Sequence, residues 1–156
     1  MRLDEIEVKR WGERIGETVD TPVVIALMGP LGAGKSVLAR AIGRGAGVDG
    51  AMPSPSHNLL LRYPTSSDVE VVHLDLYRLE SSDELWELGW SQLGVDDELV
   101  LVEWPERAEG TLQRDHWVIA LSIPDGQPQL RDIEVHRVGS PPALAAFPMS
   151  VSVSGG

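Results

Sequence analysis

Residues 23 to 36 restrict this chain more than any other stretch. Val23-Val24-Ile25-Ala26-Leu27-Met28 is an unbroken apolar run. A strand buried on both faces reads this way, and such strands belong to parallel sheets covered by helices. The run feeds directly into Gly29-Pro30-Leu31-Gly32-Ala33-Gly34-Lys35-Ser36, which fits G-x-x-x-x-G-K-[ST] without a gap. Val37 to Ala46 then carries a helical pattern closed by Gly47. Strand, glycine-rich loop and helix follow in the order that lets a backbone wrap a phosphate chain. The spacing predicts loop amides pointing inward at the positive end of the following helix. Lys35 is placed as a mobile point charge for the β- and γ-phosphates, and the Ser36 hydroxyl as a Mg²⁺ ligand. Chance would match the four fixed positions in roughly one chain of this length in a few hundred, and the flanking strand and helix make coincidence rarer.

The rest of the chain supplies more elements of the same kind. Leu3, Ile6, Val8, Trp11, Ile15 and Val19 recur at mostly helical spacing, with Val8 off the pattern, predicting an amphipathic helix over 3–19. Met52-Pro53-Ser54-Pro55-Ser56 reads as a stiff, exposed connection. Strands are expected at Asn58–Tyr63 and Val69–Asp75 around a turn-rich 64–68. A helix starts at Ser81-Ser82-Asp83-Glu84, where serine and acids favour a helix N-terminus, and runs to about Leu88. Leu99-Val100-Leu101-Val102 is a second continuous apolar run. Trp117–Ile123 and Leu130–Val138 read as late strands around Pro124-Asp125-Gly126. The pattern describes one α/β domain over 1–138 and a loose Pro, Ala, Ser and Gly-rich tail over 139–156.

Composition narrows the function classes. The net charge is −11, and no cluster of Lys and Arg exists to grip a phosphate backbone; the acidity serves solubility or docking on a basic partner. Of the thirteen basic residues only Lys9 and Lys35 are lysine, so a chain that otherwise uses arginine keeps a compact ammonium in the glycine loop. No apolar run approaches the roughly 18 residues of a membrane span, and the acidic opening Met1-Arg2-Leu3-Asp4-Glu5 does not read as a signal peptide. The absence of cysteine fits a reducing compartment. The expected location is the cytoplasm.

A nucleotide triphosphatase also needs an acid near its Mg²⁺, at the end of a buried strand. Glu103 follows the run 99–102, and Asp75 ends Val71-Val72-His73-Leu74. Pattern alone leaves open which of the two holds metal and which orients water. His57, His73, His116 and His136 share no metal-like spacing and read as structural or exposed. Trp86, Trp90 and Trp117 read as core or interface anchors, whereas Trp104, beside Glu103, is a candidate exception.

These blocks together resemble the TsaE (YjeE) family, the small ATPases of bacterial tRNA threonylcarbamoyladenosine synthesis. The likeness lies in Gly29–Ser36, Ser54-Pro55-Ser56, His73-Leu74-Asp75-Leu76-Tyr77-Arg78-Leu79 and Glu103-Trp104-Pro105-Glu106, with Glu84-Leu85 and Glu87-Leu88-Gly89 between the last two. It spans about 3 to 138. The resemblance implies a P-loop NTPase-like three-layer α/β domain with a mostly parallel central sheet and some antiparallel edge strands. It implies ATP or ADP bound with Mg²⁺ at Gly29, Gly32, Ala33, Gly34, Lys35, Ser36 and Val37, and Arg131 near the adenine. Ser36 and Glu103 would hold Mg²⁺, with Asp75 and Lys35 acting in hydrolysis. It also implies TsaB and TsaD as partners, with tRNA reached only through that complex, and no membrane. Two departures stand out. The family's usual G-D-L-G-A-G-K-T-T has Pro30 for its acid and Val37 for its second threonine, so position 37 offers the α-phosphate only its backbone N–H. The usual S-P-T-[FY]-T loop reads Ser54-Pro55-Ser56-His57-Asn58, which keeps a hydroxyl and loses the aromatic.

Two other classes compete. A small metabolite kinase would need an arginine-rich lid, and none is visible in the sequence. A nucleotide-dependent assembly adaptor would bind ATP with incidental hydrolysis. A guanine-reading N-K-x-D is absent.

Overall fold

Each element begins where local chemistry favours it. In the computed structural model, which describes residues 1–53, 59–108 and 110–146, a short strand β1 (Arg2–Asp4) turns into helix α1 (Glu5–Thr18) at Asp4. The Asp4 carboxylate accepts the Glu7 N–H at 2.8 Å, and Glu7 Oε1 accepts the Asp4 N–H at 3.0 Å, a reciprocal cap that fixes the helix start. The helix expected over 3–19 is therefore a strand and a helix, because Leu3 fits both periodicities and the cap decides between them. Strand β2 (Val23–Met28) leads through the glycine loop into α2 (Lys35–Ala46). That helix begins two residues before the expected Val37, at Lys35, after Gly34 in the left-handed region (φ 99°). Then follow β3 (Leu60–Pro64), β4 (Glu70–Asp75), α3 (Ser82–Glu87), β5 (Glu98–Glu103), β6 (His116–Ser122) and β7 (Leu130–Val138). Short 3₁₀ turns at Trp90–Gln92 and Pro105–Ala108 were not foreseen in the sequence. Residues 54–58, where the Ser54-Pro55-Ser56 loop and the start of the expected 58–63 strand fall, lie outside the described residues.

The seven strands form one sheet in the order β1-β7-β6-β2-β5-β4-β3. The four central strands β6, β2, β5 and β4 run parallel, while β7 with β1 on one side and β3 on the other are antiparallel edges. This is the mixed, mostly parallel sheet expected. Alternate residues divide the core. Val23, Ile25, Leu27, Val71, Leu99 and Leu101 face α1 and α2, with Trp11, Ile15, Leu38 and Ile42 packed on them. Val24, Val72, Leu74, Val100 and Val102 face the other side, under Leu79, Leu85, Trp90 and Leu93. The two helices cross very closely: a Cβ on Gly16 would sit 2.0 Å from the Ile42 carbonyl oxygen, and one on Gly45 2.0 Å from that of Glu13.

Residues 139–146, expected to begin a loose tail, are tied to the domain. The Trp117 indole N–H donates to the Pro142 carbonyl at 2.7 Å and that of Trp11 to Ala145 at 3.0 Å. The Ser140 N–H donates to Asp115 Oδ1 at 2.8 Å. Leu144 and Ala145 pack against the helix-side core. Small and proline residues read as loose, but the indole donors that hold them lie far away in sequence. Residues 147–156 lie outside the described residues.

Candidate functional site

Parallel pairing brings three strand ends to one edge. Leu27 lies opposite Glu103 and Asp75 opposite Glu103 in register, so both carboxylates flank the glycine loop in the crevice beyond the strand C-termini. The loop itself is pinned from below. Gly29 has φ 147°, and a Cβ there would lie 2.4 Å from the Leu121 carbonyl oxygen of β6. Only glycine fits that approach. Gly32 and Gly34 also have positive φ, and a side chain at either would project into space that is open apart from Arg131 Nε, 3.8 Å from Gly34. The open side of the loop is thus bare backbone, as a phosphate cradle requires.

Lys35 is only 5% exposed. Its Nζ donates to the carbonyl oxygens of Gly29 and, at 3.5 Å, Pro30, and lies 3.6 Å from the centroid of the Trp104 ring. Burial lowers its pKa, and the charges of Glu103, Glu106 and Asp75 oppose that shift. An ammonium folded onto its own loop and an aromatic face could hold phosphate oxygens in place of these carbonyls.

Ser36, in the first turn of α2, donates its hydroxyl to Glu103 Oε1 at 3.0 Å. Glu103 is buried, and its other oxygen lies 2.5 Å from His73 Nε2. Asp75, half-buried beside it, accepts the Tyr77 N–H at 3.0 Å. Burial pushes the Asp75 carboxyl above its ordinary range; the Tyr77 bond opposes this and the Glu103 charge adds to it. Trp104 has φ 59°, uncommon for a bulky residue. This backbone turn lays its indole over Lys35 and against Tyr77, with ring centroids 4.9 Å apart.

Arg131, from β7, grips the loop from outside. Its Nε donates to the Ala33 carbonyl at 2.9 Å and its Nη2 to that of Gly32 at 3.3 Å. Beside it runs an open, largely apolar pocket lined by Ile6, Val8, Val37, Gln129 and the polar Asp4.

The structure therefore brings Lys35, Ser36, Asp75 and Glu103 into one cleft with Trp104, and sets Arg131 and Val37 in the adjoining pocket. Sequence reasoning missed three contributors. His73 was grouped with structural histidines, although its place two residues before Asp75 on the same strand face was the available signal. Asp4 and Ile6 line the pocket because β1 joins the far end of the sheet, and nothing in their local pattern announces that.

Comparison with known proteins places the chain. The family model for threonylcarbamoyl adenosine biosynthesis protein TsaE matches residues 3–132. The chain belongs to the TsaE family. It is 32% identical over 114 residues to the tRNA threonylcarbamoyladenosine biosynthesis protein TsaE of Haemophilus influenzae, covering 70% of this chain and 72% of that one. Against the protein of the same name from Streptomyces coelicolor it is 31% identical over 136 residues, 85% and 91% of the two chains. The fold also matches the crystal structure of YdiB from Bacillus subtilis, with a TM-score of 0.67 at 22% identity over 89% of this chain and 84% of that one. TsaE proteins serve tRNA threonylcarbamoyladenosine biosynthesis, and the matched region includes the whole glycine loop, both carboxylates and Arg131. Among the described residues no helix is long and apolar enough to cross a membrane.

Proposed function

We propose that this TsaE protein binds ATP with Mg²⁺ and hydrolyses it to drive or reset the threonylcarbamoylation of adenosine 37 in tRNA, working with TsaB and TsaD in the cytoplasm. The observation that carries the reading is the Ser36 Oγ–Glu103 Oε1 contact at 3.0 Å, made beside a buried Lys35 on an open glycine loop. A hydroxyl and a carboxylate already converge where the loop would present β- and γ-phosphate oxygens.

The donor set fits Mg²⁺. Among the described residues no group of three or more acidic or imidazole side chains is poised for a metal. Mg²⁺ takes one or two protein oxygens and fills its octahedron with phosphates and water. Ser36 and Glu103 are the residues that would hold it. Mg²⁺ held there would supply positive charge against the charge that develops on the phosphoryl group. The chain's own groups do the rest. Loop amides and the α2 N-terminus bind phosphate, and Lys35 moves its ammonium from Gly29 and Pro30 onto the β- and γ-oxygens. Asp75, on the cleft wall with Oδ1 accepting the Tyr77 N–H, orients the attacking water. The ribose and base would extend past Val37 into the apolar pocket beside Arg131.

The described lining of the cleft includes Lys35 and no arginine. An arginine supplied in trans can contribute about 10³-fold or more to phosphoryl transfer, which supports slow hydrolysis by the isolated chain and activation by partners. The net charge of −11 would favour a basic, tRNA-binding surface and make the association salt-sensitive. The test is phosphate release by this chain alone, then with purified TsaB and TsaD, at low and high salt, with candidate metabolites present as acceptors. Stimulation by the partners that fades with salt is expected. Full turnover alone, or transfer of phosphate to an acceptor, would favour a self-sufficient ATPase or a kinase instead.

A further inference from the structure

His73 sits where a hydrocarbon would be the ordinary choice. It is fully buried on β4, on the face that carries Val71 before it and Asp75 after it. Its register partner on β5 is Leu101, part of the helix-side core. Nε2 lies 2.5 Å from Glu103 Oε2, whereas Nδ1, equally buried, has no hydrogen-bond partner among the described residues. Buried polar atoms are nearly always satisfied, and an exception needs a reason. A leucine would fill the place without an orphaned ring nitrogen but would leave Glu103 Oε2 without its donor, so what the imidazole adds is the Nε2 contact.

That contact divides the labour of Glu103. Oε1 accepts the Ser36 hydroxyl and Oε2 faces His73. We propose that His73 is the positioning residue of the magnesium site: by donating its Nε2 proton to Oε2 it locks the Glu103 carboxylate so that Oε1 alone is presented to Ser36 and the cation. This rests on the MgATP reading above. Without the lock the carboxylate can rotate, offering both oxygens to the cation or swinging toward Lys35, whose ammonium it already attracts. With it, Lys35 stays on the Gly29 and Pro30 carbonyls until phosphate oxygens take their place. Residues that orient a metal ligand in this way typically change metal affinity by about 10–100-fold when removed.

The experiment titrates Mg²⁺ against the full chain holding a fluorescent, non-hydrolysable ATP analogue, starting from EDTA, in the wild type and in His73→Leu, His73→Asn and His73→Gln. His73→Leu removes the orphaned Nδ1 but leaves Glu103 Oε2 without its donor, so melting without nucleotide should fall by a few degrees, while analogue binding in EDTA should match wild type. Its Mg²⁺ midpoint should rise by about 10–100-fold. The shorter amide of His73→Asn cannot reach Oε2 and should shift the midpoint similarly, which keeps the test decisive if the leucine variant fails to fold. The amide nitrogen of His73→Gln reaches the place of Nε2 and should recover most of the wild-type midpoint. Wild-type midpoints in His73→Leu or His73→Asn would overturn the proposal, and a lowered melting temperature with an unmoved midpoint would assign His73 to the scaffold alone. A wild type that ignores Mg²⁺, or does not bind the analogue, would instead overturn the MgATP reading.

Discussion

The two walls of the cleft are built in opposite ways. One is eight consecutive residues, Gly29 to Ser36, in which positive φ angles supply the shape and, in the proposed function, backbone amides and one lysine bind phosphate. The other is assembled from β4 and β5, where Asp75 and Glu103 meet only because the strands pair in parallel register, and where side chains do everything. The first wall depends on local conformation, the second on the placement of a whole sheet. They should therefore fail differently when a single atom group is removed.

The largest effect should come from the loop. In Lys35→Ala the phosphate charge loses its counter-charge in a partly desolvated cradle, a loss on the order of 2–4 kcal/mol. Calorimetric titration should show ATP affinity falling by tens-fold or more. Unchanged affinity would mean that the loop does not bind phosphate and would erase the contrast between the walls.

The carboxylate wall should lose chemistry rather than binding. Asp75→Asn should hold ATP with wild-type affinity while single-turnover hydrolysis falls by about 10²-fold, because misplacing the water acts on the chemical step. Glu103→Ala should instead demand more Mg²⁺ for the same rate. Two variants with the same magnesium dependence and the same affinity loss would show that the wall works as one unit.

The smallest effect sharpens the comparison through stability. Burial and the neighbouring Glu103 hold the Asp75 carboxyl above its ordinary range, against the pull of the Tyr77 N–H. A raised carboxyl favours the folded state while protonated, so its contribution is fully present below the ordinary carboxylate range and is lost as pH rises through the raised folded value. At pH 7 the wild type carries an ionised, partly desolvated acid that Asp75→Asn lacks. The variant should melt higher at neutral pH, on the order of 1–3 °C, and the gap should close on acidification through the carboxylate range. A gap that widens in acid would mean that Asp75 is stabilised as an anion.

The same contrast explains what was legible in the sequence. The loop, its strand and its helix stand in one contiguous run, so motif and periodicity read them together. The parallel centre followed from the apolar runs at 23–28 and 99–102, and both carboxylates from their places at strand ends. The His73–Glu103 contact was not legible, because it spans 30 residues and depends on register, which alternation in a single strand does not contain. The helix over 3–19 was over-read for a related reason: Leu3 satisfies a helical spacing, and only pairing with β7 reveals a strand. Residues 139–146 were read from composition, while two distant indoles decide their place.

That pairing sets a timetable. β1 pairs with β7, with Arg2 opposite Asp132 and Leu3 opposite Arg131, so residues 2–4 wait for a strand that lies 130 residues later before they can dock. At about 5–20 residues per second of synthesis, that delay is on the order of ten seconds. Through it the glycine loop lacks the Arg131 clamp, and the pocket that joins Asp4 and Ile6 to Gln129 does not exist. A nascent chain on the ribosome thus carries its glycine loop early but completes the surrounding pocket last, and a nucleotide bound as proposed would reward only the finished molecule.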